Sequence, residues 1–299
     1  MKPFLLKVFL FLLPVCLLMI VVEWQLRQIP NAYSLKKTQL DNLCGEIEIL
    51  CLGSSHAFFG VNPVYFSKKA YNAANYSQTL DCDQKILEKY INKMPALKTV
   101  LMPVSCFSFF EKMEESDEMW RKKFYTLSMK IGKPDIFDDY MIFSNERQEL
   151  IPYWLHKKRE IPVSELGFGI TDHIQRNTEF FEKNGAEAAK RHTISNLDLR
   201  KKEMSDIMEE IILLCKSHNV SVVLVMLPAH QSYRNRLNQQ QLDITFSLID
   251  FFRQQHQNVR VYDAFADAEF INDDFSDADH LSETGAKKFT EKLDQFLQN

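Results

Sequence analysis

Five short apolar runs, spaced out by amphipathic stretches, constrain this chain more than any other feature. "EIEILCLG" (46–53), "KTVLMPV" (98–104), "VSVVLVML" (220–227) and "NVRVYDA" (258–264) are too short for buried helices and rich in β-branched residues, and "KAYNAAN" (69–75) is a weaker run of the same kind. Each reads as a buried strand. Stretches at 79–93, 198–217, 238–256 and 283–297 carry helical periodicity and fall between or after these runs. Strand alternating with helix predicts an α/β fold. Its sheet is parallel and covered on both faces, because parallel neighbours need a crossover and the crossover helix buries its apolar stripe on the sheet.

The alternation breaks between 107 and 197, where "FSFFEKMEESDEMWRKKFYTLSMK" and "IPYWLHKKRE" mix aromatic and charged residues. This region reads as a partly helical insertion between the third and fourth strands. Insertions at the carboxyl ends of strands lie over the crevice where open α/β sheets bind ligands, so a lid or substrate-binding subdomain is expected. Trp120, Arg121, Tyr125 and Trp154 read either as a carbohydrate platform or as the insertion's own small core. The acidic run Glu114, Glu115, Asp117 and Glu118 reads as a solvated helix face.

The N-terminus departs from the rest. After Lys2 and Lys7, residues 8–22 read "VFLFLLPVCLLMIVV" without a charge, and Glu23 closes the run. Counted from Pro3, with Lys7 reaching back toward headgroups, the segment approaches the ~20 residues of a spanning helix. A cleaved signal peptide and an uncleaved anchor compete here. "VVEWQLRQIP" offers no small-x-small cleavage site, and Cys16 after Leu-Pro-Val fits a lipoprotein box poorly. The expectation is therefore a single-pass anchor over 1–23, a polar linker over 24–45, and a globular part outside the cytoplasmic membrane, since Lys2 and Lys7 favour a cytoplasmic N-terminus. A net charge of -4 without a basic stripe argues against a nucleic-acid partner. Six cysteines without a Cys-x-x-Cys pair argue against a zinc site. Cys51 and Cys106, at the ends of apolar runs, read as small buried hydrophobes. Whether Cys44 and Cys82 pair is open.

The first strand stops on Gly53, Ser54, Ser55 and His56. A bland reading is a turn whose hydroxyls cap backbone groups. The sharper reading makes Ser55 a nucleophile, which requires a base and oxyanion donors. Among eight histidines, His280 has the right surroundings: "NDDFSDADHLSETGAKKF" (272–289) places Asp277 three residues before it, and Ser282 opens a capping-box pattern into the last helix. That spacing can swing the Asp277 carboxylate onto one imidazole nitrogen and leave the other for Ser55. Asp279, adjacent to His280, is expected to point the other way. His56 reads as a contact to substrate or base, or as a structural hydrogen bond. His230, with Tyr233 and Arg234, follows the fourth strand and is a candidate for touching ligand. His156, His173, His192, His218 and His256 receive no role.

Gly-x-Ser after the first strand, with Asp-x-x-His before the last helix, resembles the SGNH (GDSL-type) hydrolase superfamily over 45–106 and 198–297. The resemblance implies a three-layer, flavodoxin-like domain (46–106 and 198–299) around the 107–197 insertion. It implies Ser55 as nucleophile, His280 as base and Asp277 as its orienting carboxylate. "NAANYSQT", with Asn72, is similar to the family's second block, and by position the N–H groups of Ser55 and Ser77 would hold the oxyanion. Two features depart from the pattern. Ser54 stands where the family usually has Asp, and the Gly-x-Asn-Asp block is absent because the third strand runs into "MPVSCFSFF", where Ser105 or its backbone is the candidate replacement. "GSSH", the apolar N-terminus and "LPAHQSYR" (227–234) look closer to the membrane-anchored, DltD-like and polysaccharide O-acyl-modifying branch than to secreted lipases. That branch implies a serine esterase or O-acyltransferase working on acyl esters of a cell-surface polysaccharide, without metal or organic cofactor. If the reaction is transfer, a membrane acyl-donor protein is implied as partner. The rival reading is a non-catalytic binding or assembly subunit of a glycan export or modification complex.

Overall fold

The structure is a computed structural model that describes residues 2–133, 141–157, 159–171 and 176–299. His173 lies outside the described residues. Five parallel strands, β1 (Ile49–Cys51), β2 (Ala70–Asn72), β3 (Thr99–Pro103), β4 (Ser221–Met226) and β5 (Val259–Asp263), form one sheet in the order β2-β1-β3-β4-β5. All five apolar runs therefore become strands. Val100, Leu101, Val222 and Leu224 are sealed from solvent at the middle of the sheet, which is why these runs read as continuous rather than alternating. The strand order is that of flavodoxin-type doubly wound sheets, with its reversal between β1 and β3, the place where open α/β sheets bind their ligands.

The helices are α1 (Lys2–Arg27), α2 (Ala32–Leu43), α3 (Ser55–Gly60), α4 (Leu80–Tyr90), α5 (Lys122–Leu127), α6 (Phe143–His156), α7 (Thr178–Arg191), α8 (Asp198–Ser217), α9 (Gln231–Arg234), α10 (Gln239–Gln255) and α11 (Glu283–Gln298). Right-handed crossovers put α4, α8 and α10 on one face of the sheet and α3 with α11 on the other. The packing of α4 on α8, and of α11 on α3, follows that division.

The chain divides into two compact units, Met1–Lys37 with Trp120–Ile161, and Thr38–Met119 with Pro162–Asn299. The first contains α1, α5 and α6. Helix α1 is long and apolar enough to cross a membrane. Within this unit Glu23 accepts a hydrogen bond from the Ile142 N–H at 3.1 Å, and Tyr33 stacks on Phe124 with ring centroids 5.4 Å apart. Tyr125 is buried against Tyr33 and serves the unit's own core, whereas Trp154 is exposed. The second unit contains the whole sheet. The 107–197 insertion is thus split: its middle groups with the N-terminal helix, while 107–119 and 162–197 group with the sheet, where α7 packs on α9.

The stretch expected as a polar linker, 24–45, is mostly helical. Asn31 explains this: its Oδ1 accepts the Ser34 N–H at 2.9 Å while Ser34 Oγ accepts the Asn31 N–H at 3.0 Å, a reciprocal cap that starts α2. At α11 only half of the expected capping box forms. Ser282 Oγ accepts the Gly285 N–H at 3.2 Å, but Gly285 has no side chain to reciprocate. Gly285 is required for another reason, because a Cβ there would collide with the Asp274 carbonyl. None of the six cysteines is paired, and Cys51 and Cys106 are buried as expected.

Candidate active site

The turn after β1 is built on Gly53, whose φ of 109° is left-handed and open to glycine. Its N–H donates to Asp83 Oδ1 at 2.8 Å, and the same carboxylate accepts the Gln78 amide at 2.6 Å. One buried side chain therefore ties this turn to the loop that follows β2; burial pushes the Asp83 carboxyl up to about 7. The chain then enters α3 with Ser54 as N-cap, but Ser54 makes no side-chain capping bond. The capping explanation for two serines accordingly fails.

Ser55 Oγ lies 2.8 Å from His280 Nε2, a pairing across 225 residues of sequence. His280 Nδ1 lies 3.0 Å from both Asp277 oxygens. The turn carrying the pair is closed by a bridge between Phe275 and Leu281, by Ser276 N–H donating to the His280 carbonyl, and by Asp277 Oδ1 accepting the N–H groups of Asp279 and His280. Asn184 of α7 and the His230 N–H hold it from outside through Ala278. Burial pushes the His280 imidazole down, but the Asp279 and Asp277 carboxylates outweigh this and lift it to about 9.

Contrary to the expectation from its place in sequence, Asp279 does not point away from the site. Its side chain is 1% exposed, and its Oδ2 accepts a hydrogen bond from Arg191 Nη2 at 3.0 Å and faces His56 Nε2 at 3.4 Å. His192, given no role from sequence, completes this cluster with Nε2 3.9 Å from the same oxygen. Burial pushes both His56 and His192 down, the latter to about 3, which favours the neutral imidazole in each. No local motif marks Arg191 or His192. They arrive from the far end of α7, and only the fold brings them in.

His56 Nδ1 lies 2.7 Å from Ser105 Oγ. With Asp279 facing Nε2, that nitrogen carries the proton and Nδ1 accepts from the Ser105 hydroxyl. The Ser105 N–H is likewise engaged, by Ser108 Oγ at 2.9 Å. Both donors of Ser105 are spent, so it does not replace the missing Asn of the third block.

Other expected residues fall elsewhere. Asn72 is fully buried and its amide is used up: Nδ2 donates to the Ala57 and Val61 carbonyls at 2.8 and 2.7 Å, and Oδ1 accepts the Ala74 N–H. It clamps α3 to β2 and offers nothing to a substrate. Tyr233 is buried behind the cluster, its hydroxyl shared with His192 Nδ1 at 2.7 Å and Cys106 Sγ at 3.5 Å. His230 lines a separate polar pocket of about 560 Å³, stacked on Phe181, with Nδ1 on Ser232 and Nε2 on Asn272. His218 and His256 bond Asn92 and Glu209 away from the site.

Ser77 adopts φ 49° in the loop after β2, which runs beside the Ser55 turn through the Asn75 N–H bond to the Gly53 carbonyl at 3.1 Å. Tyr76 packs on Phe58 and Phe59 of α3. Asn75 itself is buried. Its Oδ1 is fixed by the Tyr76 N–H at 2.9 Å, while its Nδ2 finds no acceptor among the described residues.

His56, Asp279 and His280 bring potential metal-ligand atoms within 4.8 Å of one another. Both nitrogens of His280 are already engaged, by Asp277 and Ser55, so a hydrogen-bonded relay accounts for this geometry.

No family model matches the sequence, and no curated protein matches it. Among solved structures, the chain is similar to a protein from Streptococcus pneumonia provisionally described as a platelet activating factor, at 12% identity and a TM-score of 0.44, covering 95% of this chain and 98% of that one. It is also similar to a protein from Bacteroides fragilis provisionally described as an acylhydrolase, at 9% identity and a TM-score of 0.41, covering 84% and 85%. At such scores neither likeness carries weight, and the reading of the site rests on its own geometry.

Proposed function

We propose that this protein is a membrane-anchored, extracytoplasmic serine esterase or O-acyltransferase of SGNH type that acts on acyl esters of a cell-surface polysaccharide. The observation that carries the reading is the hydrogen-bonded chain from Ser55 through His280 to Asp277, assembled from two distant segments at the carboxyl edge of the sheet. In the neutral form Asp277 holds the proton on Nδ1 and leaves the Nε2 lone pair facing the Ser55 hydroxyl.

Ser55 Oγ attacks the ester carbonyl carbon as its proton passes to His280 Nε2. The tetrahedral intermediate collapses, the alkoxide leaves with that proton, and the acyl group stays on Ser55. Water or a sugar hydroxyl then gives its proton to His280 and attacks the acyl carbon; the second tetrahedral intermediate expels Ser55 Oγ, which takes that proton back, releasing acid in the first case and a new ester in the second. The N–H groups of Ser55 and Ser77 serve as oxyanion donors, and Asn75 Nδ2, the amide left without an acceptor beside the turn, supplies a third in place of the Asn missing after β3.

Helix α1 supports the anchor, since an enzyme held where its polymer is exported gains effective concentration. The end of the insertion's α7 supports a role for that region on the substrate side, because it presents Arg191, 58% exposed, over the site.

The test is covalent labelling of the full chain with a fluorophosphonate, alongside Ser55→Ala and His280→Ala. Labelling that maps to Ser55 and is lost in both variants is expected. The absence of the Gly-x-Asn-Asp block favours the alternative of a non-catalytic subunit of a glycan export or modification complex. Folded protein that neither labels nor hydrolyses p-nitrophenyl acetate decides for that alternative.

A further inference from the structure

The turn before α11 carries two carboxylates, and they meet His280 in different ways. Asp277 is on the outside, about a third exposed, with both oxygens bonded to Nδ1. Asp279 is on the inside. Its Oδ1 lies 3.8 Å from the same Nδ1 and accepts no hydrogen bond from the described residues. A buried carboxylate oxygen without a donor is expensive unless positive charge lies close by. The cation within reach of Oδ1 is the His280 imidazolium, the species formed when Ser55 gives up its proton.

We propose that Asp279 is a positioning residue for His280, a buried anion that stabilises the imidazolium through space while Asp277 aligns the ring through hydrogen bonds, and that Arg191 sets how much of that anion His280 receives. The inference rests on the catalytic reading for its purpose, though not for its electrostatics. Charge at ~4 Å is worth several-fold more among buried groups than at a wet surface, so the inner carboxylate is placed to act by field and the outer one by geometry.

The groups facing Asp279 are His56 from α3, Arg191 and His192 from the end of α7, and Asp277 and His280 from its own turn. Tyr233, Cys106 and Glu111 stand behind them. With His56 and His192 neutral, two cations among the described residues share Asp279. Arg191 holds Oδ2, and the His280 imidazolium faces Oδ1. Arg191 both neutralises part of the anion and repels the imidazolium, so its removal acts opposite in sign to removal of Asp279.

The experiment is an NMR titration of the full chain in detergent micelles with isotopically labelled histidine, the His280 signal being assigned by its loss in His280→Gln. Asp279→Asn is expected to lower the His280 midpoint by about one unit or more, and Arg191→Gln to raise it. A midpoint unmoved by Asp279→Asn, or lowered by Arg191→Gln, overturns the proposal. General loosening of the site cannot produce shifts of opposite sign. If Asp279→Asn does not fold, Arg191→Gln decides alone, since its side chain is mostly in solvent. The pH at which fluorophosphonate labelling is half-maximal should move with the midpoint in each variant. Opposed shifts in the two variants, together with a wild-type protein that never labels, would remove the catalytic reading and leave the electrostatic inference standing.

Discussion

Two histidines on the carboxyl edge of the sheet, His280 and His230, look alike from sequence and differ in what they reach. Each follows a strand, each begins a helix-capping segment, and each has a polar partner within three residues. His280 sets one nitrogen on a carboxylate and the other on the hydroxyl of Ser55, inside a frame made by Phe59 and His56. His230 spends both nitrogens on Ser232 and Asn272, beside an open polar pocket. Position at the sheet edge therefore does not by itself couple a histidine to a serine. What differs is a hydroxyl from a remote segment on one nitrogen and a carboxylate on the other.

The largest effect is expected at Asp277. Asp277→Asn keeps the turn but removes the charge that holds the proton on Nδ1, and ~10²-fold to 10⁴-fold loss of kcat/KM on p-nitrophenyl acetate is expected. The pH profile sharpens the point. With His280 lifted to about 9, the base is largely protonated at neutral pH, so wild-type kcat/KM should climb with pH until about 9. Loss of Asp277 removes a group that raises that value, so the limb should move to lower pH. By linkage, a His raised above its unfolded value of ~6.5 stabilises the fold fully below that pH, and the contribution disappears as pH rises through about 9. A kcat/KM within threefold of wild type in Asp277→Asn would mean that His280 needs no more orientation than His230 has.

Asn75 and its neighbour Asn72 carry the comparison into the loop after β2. Both are buried amides three residues apart, but Asn72 has every partner filled and Asn75 has a donor unspent. Asn75→Ala should lower kcat by ~10²-fold, with a small change in KM and in the urea midpoint. Asn72→Ala should chiefly destabilise the protein, since two buried carbonyls lose their donor at about 1–3 kcal/mol each. Equal effects of the two substitutions on kcat and stability would refute the separate assignment of Asn75.

The strands, their parallel pairing and the Ser55–Asp277–His280 constellation were legible because they are local patterns: apolar runs, a Gly-x-Ser turn, an Asp-x-x-His spacing. What was not legible depends on tertiary direction. Asp279, adjacent to His280, reads from sequence as pointing the other way. The turn instead curls so that Asp277 Oδ1 gathers the N–H groups of both Asp279 and His280, which turns the Asp279 carboxylate inward. Arg191 and His192 carry no motif, and α7, inside a region read as a separate insertion, delivers them by packing on α9. Asn72 matched a family block by type, yet its environment makes it a clamp.

The smallest effect is expected at His230, and it tests the comparison from the other side. His230 is the N-cap of α9: its Nδ1 accepts the Ser232 N–H at 3.1 Å. Its backbone N–H, which any residue but proline retains, also holds the Ala278 carbonyl in the turn that presents His280. His230→Ala removes the cap and the stacking on Phe181 but keeps that backbone bond. Stability should fall by about 0.5–2 kcal/mol, read as a lower urea midpoint, while kcat/KM stays within about twofold and fluorophosphonate labelling is unchanged. His230→Pro removes the backbone bond as well, so it should depress labelling where His230→Ala does not. If His230→Ala alone abolished labelling in a folded protein, the pocket at His230 would belong to the reacting site. The distinction between a histidine that reaches Ser55 and one that caps a helix would then fail.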